Sequence, residues 1–555
     1  MSWFNSPKKL LLTILALAFI VRIAGINYGL PLWLAGDEPP FTTAALKMLE
    51  LKTLLPVLHQ EEFQPTLYFP PYLAYVYLIP FTILLGIKYL LFGSSLLEFK
   101  NYIASDLSHF FIIARIINVA LGTLTVWLVY KISKNIFKKE WPALLSAAFL
   151  ALSILHIYLS FAARDWVPAT FLFALATFFL TKPDTPLKKR VVLVAVISGA
   201  AFGVSPIAAF SMLFMLYWYL FYEKHSLLEA VKEKGLYICF FIFLALAAMS
   251  IAIYPYGFHL SSGNSIKESK SVYEFAVSII QFFKPQLYSE SILIIFAVLG
   301  LVFSCRKFRN FFWTALVYLF SYAGIFYFVF HYEQRFTIYV FPVLAILAGY
   351  GLYSTTELLP RKAFVVGFIS LLLIPLAVSL RLDWLVLKND SRIQARKWAE
   401  SNLQTNTKIM VYAEMTRFAS TKKAIKEQQA LAPASLRQVD YAEMNFSENP
   451  RGYTNFHALN LYSVNNNGFY KNITDYARIN DYKYLFLDPA YPPGNNARAD
   501  QLKALTKKSV LVKSFGGAQK EYDLRDGNFG NPLGLFKLES LGPKIDVYRL
   551  NPFNP

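Results

Sequence analysis

Two acidic residues, Asp37 and Glu38, stand side by side just after the first long apolar run of the chain, in the stretch GLPLWLAGDEPP. A carboxylate at such a boundary suits a general base, which takes a proton from a hydroxyl in the transition state. The same pair also suits a solvated interfacial charge or the cap of a helix predicted over PFTTAALKML. Spacing alone leaves both interpretations open.

A second charged pair, Arg164–Asp165, lies in SFAARDWVPATFLF, where two apolar runs meet with almost no loop between them. Charges held at a membrane boundary are costly, which favours a functional role. The structural alternative is that Asp165 caps the next helix, with Pro168 in its first turn.

Further cations accompany these acids. Arg335 lies in the short segment HYEQRFTIYVFP, Arg115 lies in HFFIIARIINV, and His259 and Lys267 follow YPYG. Arginine is suited to holding a phosphate through two parallel hydrogen bonds. Arg22, near the end of the first apolar run, is compatible with a side chain that extends to the membrane surface. Carboxylates and cations from separate connections suit a reaction in which a hydroxyl loses a proton and a phosphate leaves, as in phosphoryl-linked sugar transfer.

Composition places these residues in a membrane protein. The chain has 555 residues, of which 56% are hydrophobic, and apolar stretches of about 20 residues recur. The net charge of +19 does not indicate a nucleic-acid partner, because Lys and Arg cluster in short loops between apolar runs, which is the pattern of cytoplasmic loops. The two cysteines, Cys239 and Cys305, form neither a disulfide framework nor a metal cluster. We therefore predict a polytopic α-helical protein embedded in the lipid bilayer.

The apolar runs predict the helices and their direction. Basic loops such as KISKNIFKK (131–139) and KPDTPLKKR (182–190) mark the cytoplasmic side. The parity of these loops divides 190–222 into a hairpin at Gly203 and Pro206, and it makes 72–92 a juxtamembrane helix broken near Pro80 rather than a crossing. The result is about eleven crossings with a cytoplasmic N-terminus. The predicted helices are 10–28, 72–92, 108–130, 141–160, 166–181, 190–204, 206–222, 236–256, 290–304, 311–330, 336–353 and 363–380.

This topology predicts two parts and one active face. Residues 1–382 form the transmembrane part, and its outer face holds loop 29–107, the turn 161–165, loop 257–288 and the turn 331–335. Residues 383–555 are polar and alternate a helical pattern (391–403) with short apolar runs (407–413, 482–488, 544–550), which predicts a soluble α/β domain outside the cytoplasm. Loop charge alone fixes this topology, and all of the charged candidates fall on its outer side.

Five motifs resemble segments of a known family. The stretches RIAGINYGLPLWLAGDEPPFTTAALKM, LYFPPYLAYVYL, ARIINVALGTLTVWLVYKISKNIF, AARDWVPATFLFALA and EQRFTIYVFPVLAILAGYG are similar, in order, to segments of GT-C glycosyltransferases. These membrane enzymes use polyprenyl-phosphate sugars and include the protein O-mannosyltransferases and the aminoarabinose transferases of lipid A.

The resemblance implies an inverting transfer from a sugar on dolichyl or undecaprenyl phosphate to a lipid, glycan or protein acceptor, at an extracytoplasmic site in the plasma membrane. It implies Asp37 as the general base with Glu38 beside it and Asp165 as the second acid. The cations expected near the donor phosphate are Arg335, Arg115, Arg164, His259 and Lys267. Neither a cofactor nor a divalent metal is required by these residues.

Two departures leave the substrates open. Aminoarabinose transferases carry Glu-Lys before the proline of the aromatic segment, where this chain has Tyr68–Phe69. The tail also lacks the β-trefoil repeats of eukaryotic protein O-mannosyltransferases. The alternatives are a multi-span transporter, which would place its charges near the membrane midplane, and a non-catalytic subunit that binds lipid-linked sugars.

Overall fold

The computed structural model describes residues 6–63, 66, 69–92, 95–254, 272–329, 333–357, 361–433, 436, 440, 444, 454–490, 497–507, 509–517 and 530–550. It confirms the predicted class: a bundle of apolar helices is followed by a C-terminal part built on a β-sheet. Helices of the first part are α1 (Pro7–Ile23), α2 (Pro39–Leu51), α3 (Gln60–Phe63), α4 (Tyr72–Phe92), α5 (Leu96–Ser105), α6 (Ser108–Phe137), α7 (Glu140–Ala151), α8 (Ile154–Ser160), α9 (Trp166–Leu180), α10 (Leu187–Phe202), α11 (Phe210–Tyr217), α12 (Leu227–Lys232), α13 (Lys234–Ile253), α14 (Val272–Ser289), α15 (Ser291–Lys307), α16 (Arg309–Val329), α17 (Phe341–Thr356) and α18 (Arg361–Leu387).

Within the described residues, length and composition allow four segments to cross a membrane. They are α4, α6, α13 and the continuous stretch Gln334–Thr356, and the bent pair α7–α8 makes a fifth if it is one span. The count of about eleven crossings stays a prediction, because several other helices are shorter or include residues outside those described.

The predicted single helix over 141–160 is wrong. It is divided into α7 and α8, whose axes differ by 60°. The bend has its own polar partners: the Ser153 hydroxyl accepts a hydrogen bond from the backbone N–H of His156, and the Glu290 carboxylate accepts from the Ser153 hydroxyl and from the N–H of Leu155. Backbone groups freed by the break are thus satisfied inside an apolar environment, as membrane helices require.

Three other helix predictions need correction. The first helix ends at Ile23 instead of residue 28, and the chain continues in turns. Helix α4 runs without a break through Pro80, and membrane helices tolerate such interior prolines. The predicted loop 257–288 contains helix α14 from Val272 onward, and residues 255–271 lie outside the described residues.

The division of 190–222 is confirmed. Helix α10 ends before Gly203, and a short 3₁₀ turn (Pro206–Ala209) leads into α11. The hydroxyl of Ser211 donates to that of Ser198 at 2.7 Å, so the second segment returns alongside the first.

Close helix packing in the bundle depends on small residues. A Cβ on Gly300 of α15 would lie 1.9 Å from the carbonyl oxygen of Leu347 on α17. Any side chain at this position would force the two helices apart, so glycine permits the contact that small residues give to membrane helices.

The C-terminal part holds a five-stranded mixed sheet. Strands β1 (Lys408–Tyr412), β2 (His457–Asn460), β3 (Tyr484–Leu487), β4 (Ser509–Phe515) and β5 (Ile545–Leu550) have the order β2-β1-β3-β5-β4. Strands β2, β1 and β3 are parallel, whereas β5 is antiparallel to both β3 and β4. The predicted runs 407–413, 482–488 and 544–550 correspond to β1, β3 and β5. Helices of this part are α19 (Ser391–Asn402), α20 (Lys422–Leu431), α21 (Asn467–Lys471), α22 (Ile473–Ile479) and α23 (Ala497–Lys507).

Alternating side chains of β1 build two small cores on opposite faces of the sheet. Met410 and Tyr412 join one, and Ile409 and Val411 join the other. The sheet part also contacts the bundle, because the Tyr28 hydroxyl donates to the carboxylate of Asp390 at 2.8 Å.

Candidate active site

The acidic pair lies where the chain turns into α2. Glu38 precedes the first residue of the helix, Pro39, and Asp37 before it has a left-handed backbone with φ of +56°. Aspartate tolerates this conformation better than most residues. The two carboxylates therefore have different surroundings: the Glu38 side chain is fully buried, whereas that of Asp37 is 49% exposed.

Glu38 binds the guanidinium of Arg115 through two hydrogen bonds. Arg115 Nε donates to Oε1 at 2.8 Å and Nη2 donates to Oε2 at 2.6 Å, with both side chains buried. The remaining Nη1 of Arg115 donates to the carbonyl oxygens of Ile26 and Tyr28. Glu38 also accepts from the backbone N–H of Ala163 at 2.6 Å, and its side chain does not cap α2. The pair thus ties the first loop to α6 and to the turn at 161–165.

Helix α6 holds that turn at two further positions. The side-chain amide of Asn118 donates to the carbonyl oxygens of Ala162 and Arg164 at 2.6 and 2.8 Å. One turn further along α6, a Cβ on Gly122 would lie 2.5 Å from the hydroxyl oxygen of Ser160, so glycine lets α8 approach α6 closely. The turn between α8 and α9 is therefore positioned by the buried face of α6.

Arg164 connects the turn to the exposed acid. Its Nη1 donates to Oδ2 of Asp37 and to the carbonyl oxygen of Gly36, both at 2.7 Å. Its guanidinium lies 3.7 Å from the ring centroid of Trp166, and the guanidinium of Arg335 lies 5.0 Å from the same ring. Both guanidiniums thus lie within cation–π distance of the same indole ring. The structure brings Asp37, Arg164 and Arg335 together.

Arg335 lies in a different element, the 3₁₀ helix Gln334–Val340, and forms an ion pair with Glu333. The Nε of Arg335 and the Nε of Arg164 are buried and have no acceptor among the described residues. Both guanidiniums therefore retain hydrogen-bonding capacity for an anion.

Asp165 follows Arg164 in the same turn and is buried, with 8% of its surface exposed. It precedes α9 without a side-chain capping bond, so the simple capping interpretation does not describe its contacts. Ser205 is a hydrogen-bond partner of Asp165, and the Ser205 hydroxyl lies 3.1 Å from that of Tyr339. Burial raises the pKa of Asp165 above its ordinary value, although Arg164 and Ser205 oppose the shift.

Arg22 does not extend to the surface, and that interpretation is wrong. Its side chain is fully buried, and it donates to the carbonyl oxygens of Leu150 and Ala151 at 3.0 Å and lies 2.9 Å from Nδ1 of His156. These carbonyls end α7 at the bend to α8, where that of Leu150 also accepts from the backbone N–H of Ser153 at 3.4 Å. Arg22 therefore supports the bend that leads to the turn at 161–165.

Two predicted phosphate partners, His259 and Lys267, lie outside the described residues, and their placement stays a prediction. Across the part of the chain that the structure describes, no group of three or more His, Cys, Asp or Glu side chains is arranged to hold a metal ion.

Sequence reasoning missed Asn118, Trp166 and Ser205, which contact the predicted site residues. Asn118 could have been noticed, because an amide inside an apolar helix, three residues after an arginine, needs a buried partner. Trp166 and Ser205 carry no such signal, because an aromatic residue beside a charge pair and a serine before a proline are common at membrane boundaries.

Comparison with known families confirms the resemblance seen in the motifs. Residues 91–253 match the family described as dolichyl-phosphate-mannose-protein mannosyltransferase. This segment contains Arg115 and the Arg164–Asp165 turn, whereas Asp37, Glu38 and Arg335 lie outside it. No curated protein matches the chain.

Three solved structures to which the chain is similar can be named. ArnT from Cupriavidus metallidurans in the apo state is 12% identical, with 97% of each chain covered and a TM-score of 0.43. The oligosaccharyltransferase AglB from Archaeoglobus fulgidus, in complex with an inhibitory peptide and a dolichol-phosphate, is 14% identical over 88% of this chain and 70% of that one, with a TM-score of 0.42. The arabinofuranosyltransferase AftD from Mycobacteria is 14% identical over 97% of this chain and 40% of that one, with a TM-score of 0.40.

Proposed function

We propose that this protein is a membrane glycosyltransferase that moves a hexosyl or pentosyl group from a polyprenyl-phosphate carrier to an acceptor hydroxyl on the extracytoplasmic side. The observation that carries the proposal is the exposed carboxylate of Asp37, held by Arg164 next to a second cation, Arg335. The family match over residues 91–253 supports the donor class.

Asp37 takes the role of general base. Arg164 donates to Oδ2 of Asp37, and no described residue donates to its Oδ1, so this oxygen can accept the proton of an incoming hydroxyl. The hydroxyl oxygen forms the new bond to the anomeric carbon while the bond from that carbon to the phosphate oxygen breaks, and attack from the opposite face inverts the configuration. The electron pair of the broken bond leaves with the phosphate.

The departing phosphate gains negative charge, which Arg164 and Arg335 are placed to neutralise. Each has an unsatisfied buried Nε donor, and each is oriented by the ring of Trp166. Donors that are fixed before the reaction stabilise developing charge without reorganisation. His259 and Lys267 stay candidate partners of the same phosphate.

Glu38 and Arg115 bind each other, so their contacts favour a supporting role over direct contact with substrate. Asp165 is buried beneath the turn, and we propose that it orients Arg164 and Ser205 instead of meeting the acceptor. The proposal keeps residues 1–382 as the catalytic part and 383–555 as an extracytoplasmic domain.

A transfer assay tests the function. Purified protein is incubated with polyprenyl-phosphate sugars labelled in the sugar, including mannose and aminoarabinose, together with membrane extracts as acceptor. The proposal predicts labelled acceptor and an equal amount of free polyprenyl phosphate. A transporter would leave the donor chemically unchanged, and a binding subunit would retain it intact, so either result across the donor panel contradicts the proposal.

A further inference from the structure

A large groove lies between α2, α4 and α5, towards the end of α2 that is remote from the acidic pair. Its volume is about 740 Å³, within the range of small-molecule sites. Leucines form its walls: Leu46 and Leu49 come from α2, Leu85 from α4, and Leu96 and Leu97 from α5. The groove is therefore mostly apolar.

One rim of the groove is basic. Lys47 and Lys100 both contact the carboxylate of Glu50, at 2.9 and 3.6 Å, and Lys52 follows at the end of α2. No described residue pairs with the ammonium group of Lys52. Three ammonium groups against one carboxylate leave an excess of positive charge, which favours an anionic occupant.

The leucine walls continue into an apolar outer surface. Ile87, Leu90 and Leu91 of α4 are 51%, 83% and 82% exposed, and Leu96 and Leu97 at the start of α5 are 61% and 70% exposed. Large apolar side chains exposed this far indicate contact with lipid chains in a membrane protein. Lysines that border such a surface lie at the level of phospholipid headgroups.

We propose that this groove binds an anionic phospholipid of the surrounding bilayer. Its phosphate lies among Lys47, Lys52 and Lys100, and one acyl chain lies along the leucines of α2, α4 and α5. The ligand is thus a membrane lipid in addition to the proposed donor, and the inference does not depend on the transfer reaction. Because α2 begins at the acidic pair and ends at the groove, a bound lipid also fixes the helix that carries Glu38 and Asp37 at its start.

Native mass spectrometry of the purified full-length protein, titrated with phosphatidylglycerol or phosphatidylcholine, tests this site. We expect wild type to prefer phosphatidylglycerol, and the triple variant Lys47→Ala, Lys52→Ala, Lys100→Ala to bind it about 10-fold more weakly or worse. A second variant, Ala104→Trp, keeps every lysine but fills the groove, which Ala104 lines. It should lose the bound phosphatidylglycerol as well.

The matched control removes three exposed lysines of α20 in the sheet part, through Lys422→Ala, Lys423→Ala and Lys426→Ala. It loses the same charge and should bind phosphatidylglycerol like wild type. Equal weakening by the control would reduce the effect to overall charge and overturn the proposal. So would wild-type affinity in Ala104→Trp, or equal binding of the two lipids by wild type. If the triple variant does not fold, Ala104→Trp decides the result alone.

Discussion

The carboxylate of Glu38 and the guanidinium of Arg115 form two parallel hydrogen bonds of 2.8 and 2.6 Å, with both side chains buried. The two residues are far apart in the sequence, and the same carboxylate also accepts from the backbone of Ala163. This buried ion pair therefore ties together the first loop, α6 and the turn that carries Arg164. Because Glu38 follows Asp37 directly in the chain, the contacts of Glu38 also help to fix the backbone at Asp37.

Breaking this pair should destabilise the protein strongly. Arg115→Met leaves the Glu38 carboxylate buried without its cation, and losing one partner of a buried pair costs about 3–5 kcal/mol. We expect the free energy of unfolding in detergent, followed by denaturant titration, to fall by about that amount. Lys307→Met serves as control, because Lys307 pairs with Glu357 on the surface and such pairs contribute about 0–1 kcal/mol. An equal loss of unfolding free energy in Arg115→Met and Lys307→Met would show that the Glu38–Arg115 pair does not hold the site together.

Arg335→Ala should weaken donor binding and leave the fold intact. A hydrogen bond to a charged group contributes about 1.5–3 kcal/mol, so affinity for a polyprenyl phosphate should fall by about 10- to 100-fold. Arg335→Lys keeps the charge but loses the paired donors. Its affinity for the polyprenyl phosphate should therefore lie between those of wild type and Arg335→Ala. Tryptophan fluorescence or calorimetry with a short-chain polyprenyl phosphate measures the affinity. Unchanged affinity in Arg335→Ala would remove this residue from the phosphate site.

Arg22→Met should loosen the bend between α7 and α8. The carbonyl oxygen of Ala151 would lose its Arg22 donor, and that of Leu150 would keep only the long bond from the N–H of Ser153. An unsatisfied buried group costs about 1–3 kcal/mol. We expect a lower thermal midpoint than in Arg306→Met, which removes an exposed arginine from α15. If Arg22→Met and Arg306→Met have the same thermal midpoint, the bend does not depend on Arg22.

The sheet part carries a pH-dependent cluster on α20 and β2. Burial would raise the pKa of Glu427, but hydrogen bonds from His457, Tyr476 and Tyr482 lower it to about 2. A carboxyl whose pKa is lower in the folded than in the unfolded state adds stability above the unfolded value of 4.5, and this stability is lost as the pH falls towards 2. In Glu427→Gln, hydrogen-exchange protection of the β1 and β3 amides should therefore be weaker at neutral pH and depend less on pH between 5 and 3. A pH dependence like that of wild type would assign the acid sensitivity to other groups.

Local patterns predicted the helices and strands whose signals lie within one segment. The break at Gly203 and Pro206 follows from proline chemistry, and the continuous apolar run within 407–413 follows from the burial of β1 on both faces. Asp37, Arg164 and Arg335 were chosen from residue type and position, and the structure places these three side chains together.

Features that depend on distant partners were not predictable. The bend after α7 lies in a mostly apolar run, and it is held by Arg22 and Glu290, which come from other parts of the chain. Pro80 illustrates the reverse case: its local signal predicts a break, yet α4 continues through it. The burial of Glu38 beside the exposed Asp37 also depends on Arg115, which no spacing rule connects to an acidic pair.

The most direct test of Asp37 as the general base compares donor binding and transfer in wild type and Asp37→Asn. Asparagine keeps the size of the side chain and its contact with Arg164 but cannot take a proton. We expect the affinity of Asp37→Asn for the labelled polyprenyl-phosphate sugar to stay within about 3-fold of wild type, while single-turnover transfer slows by about 10²- to 10⁴-fold. Transfer by Asp37→Asn at the wild-type rate would contradict the assignment of Asp37 as the base.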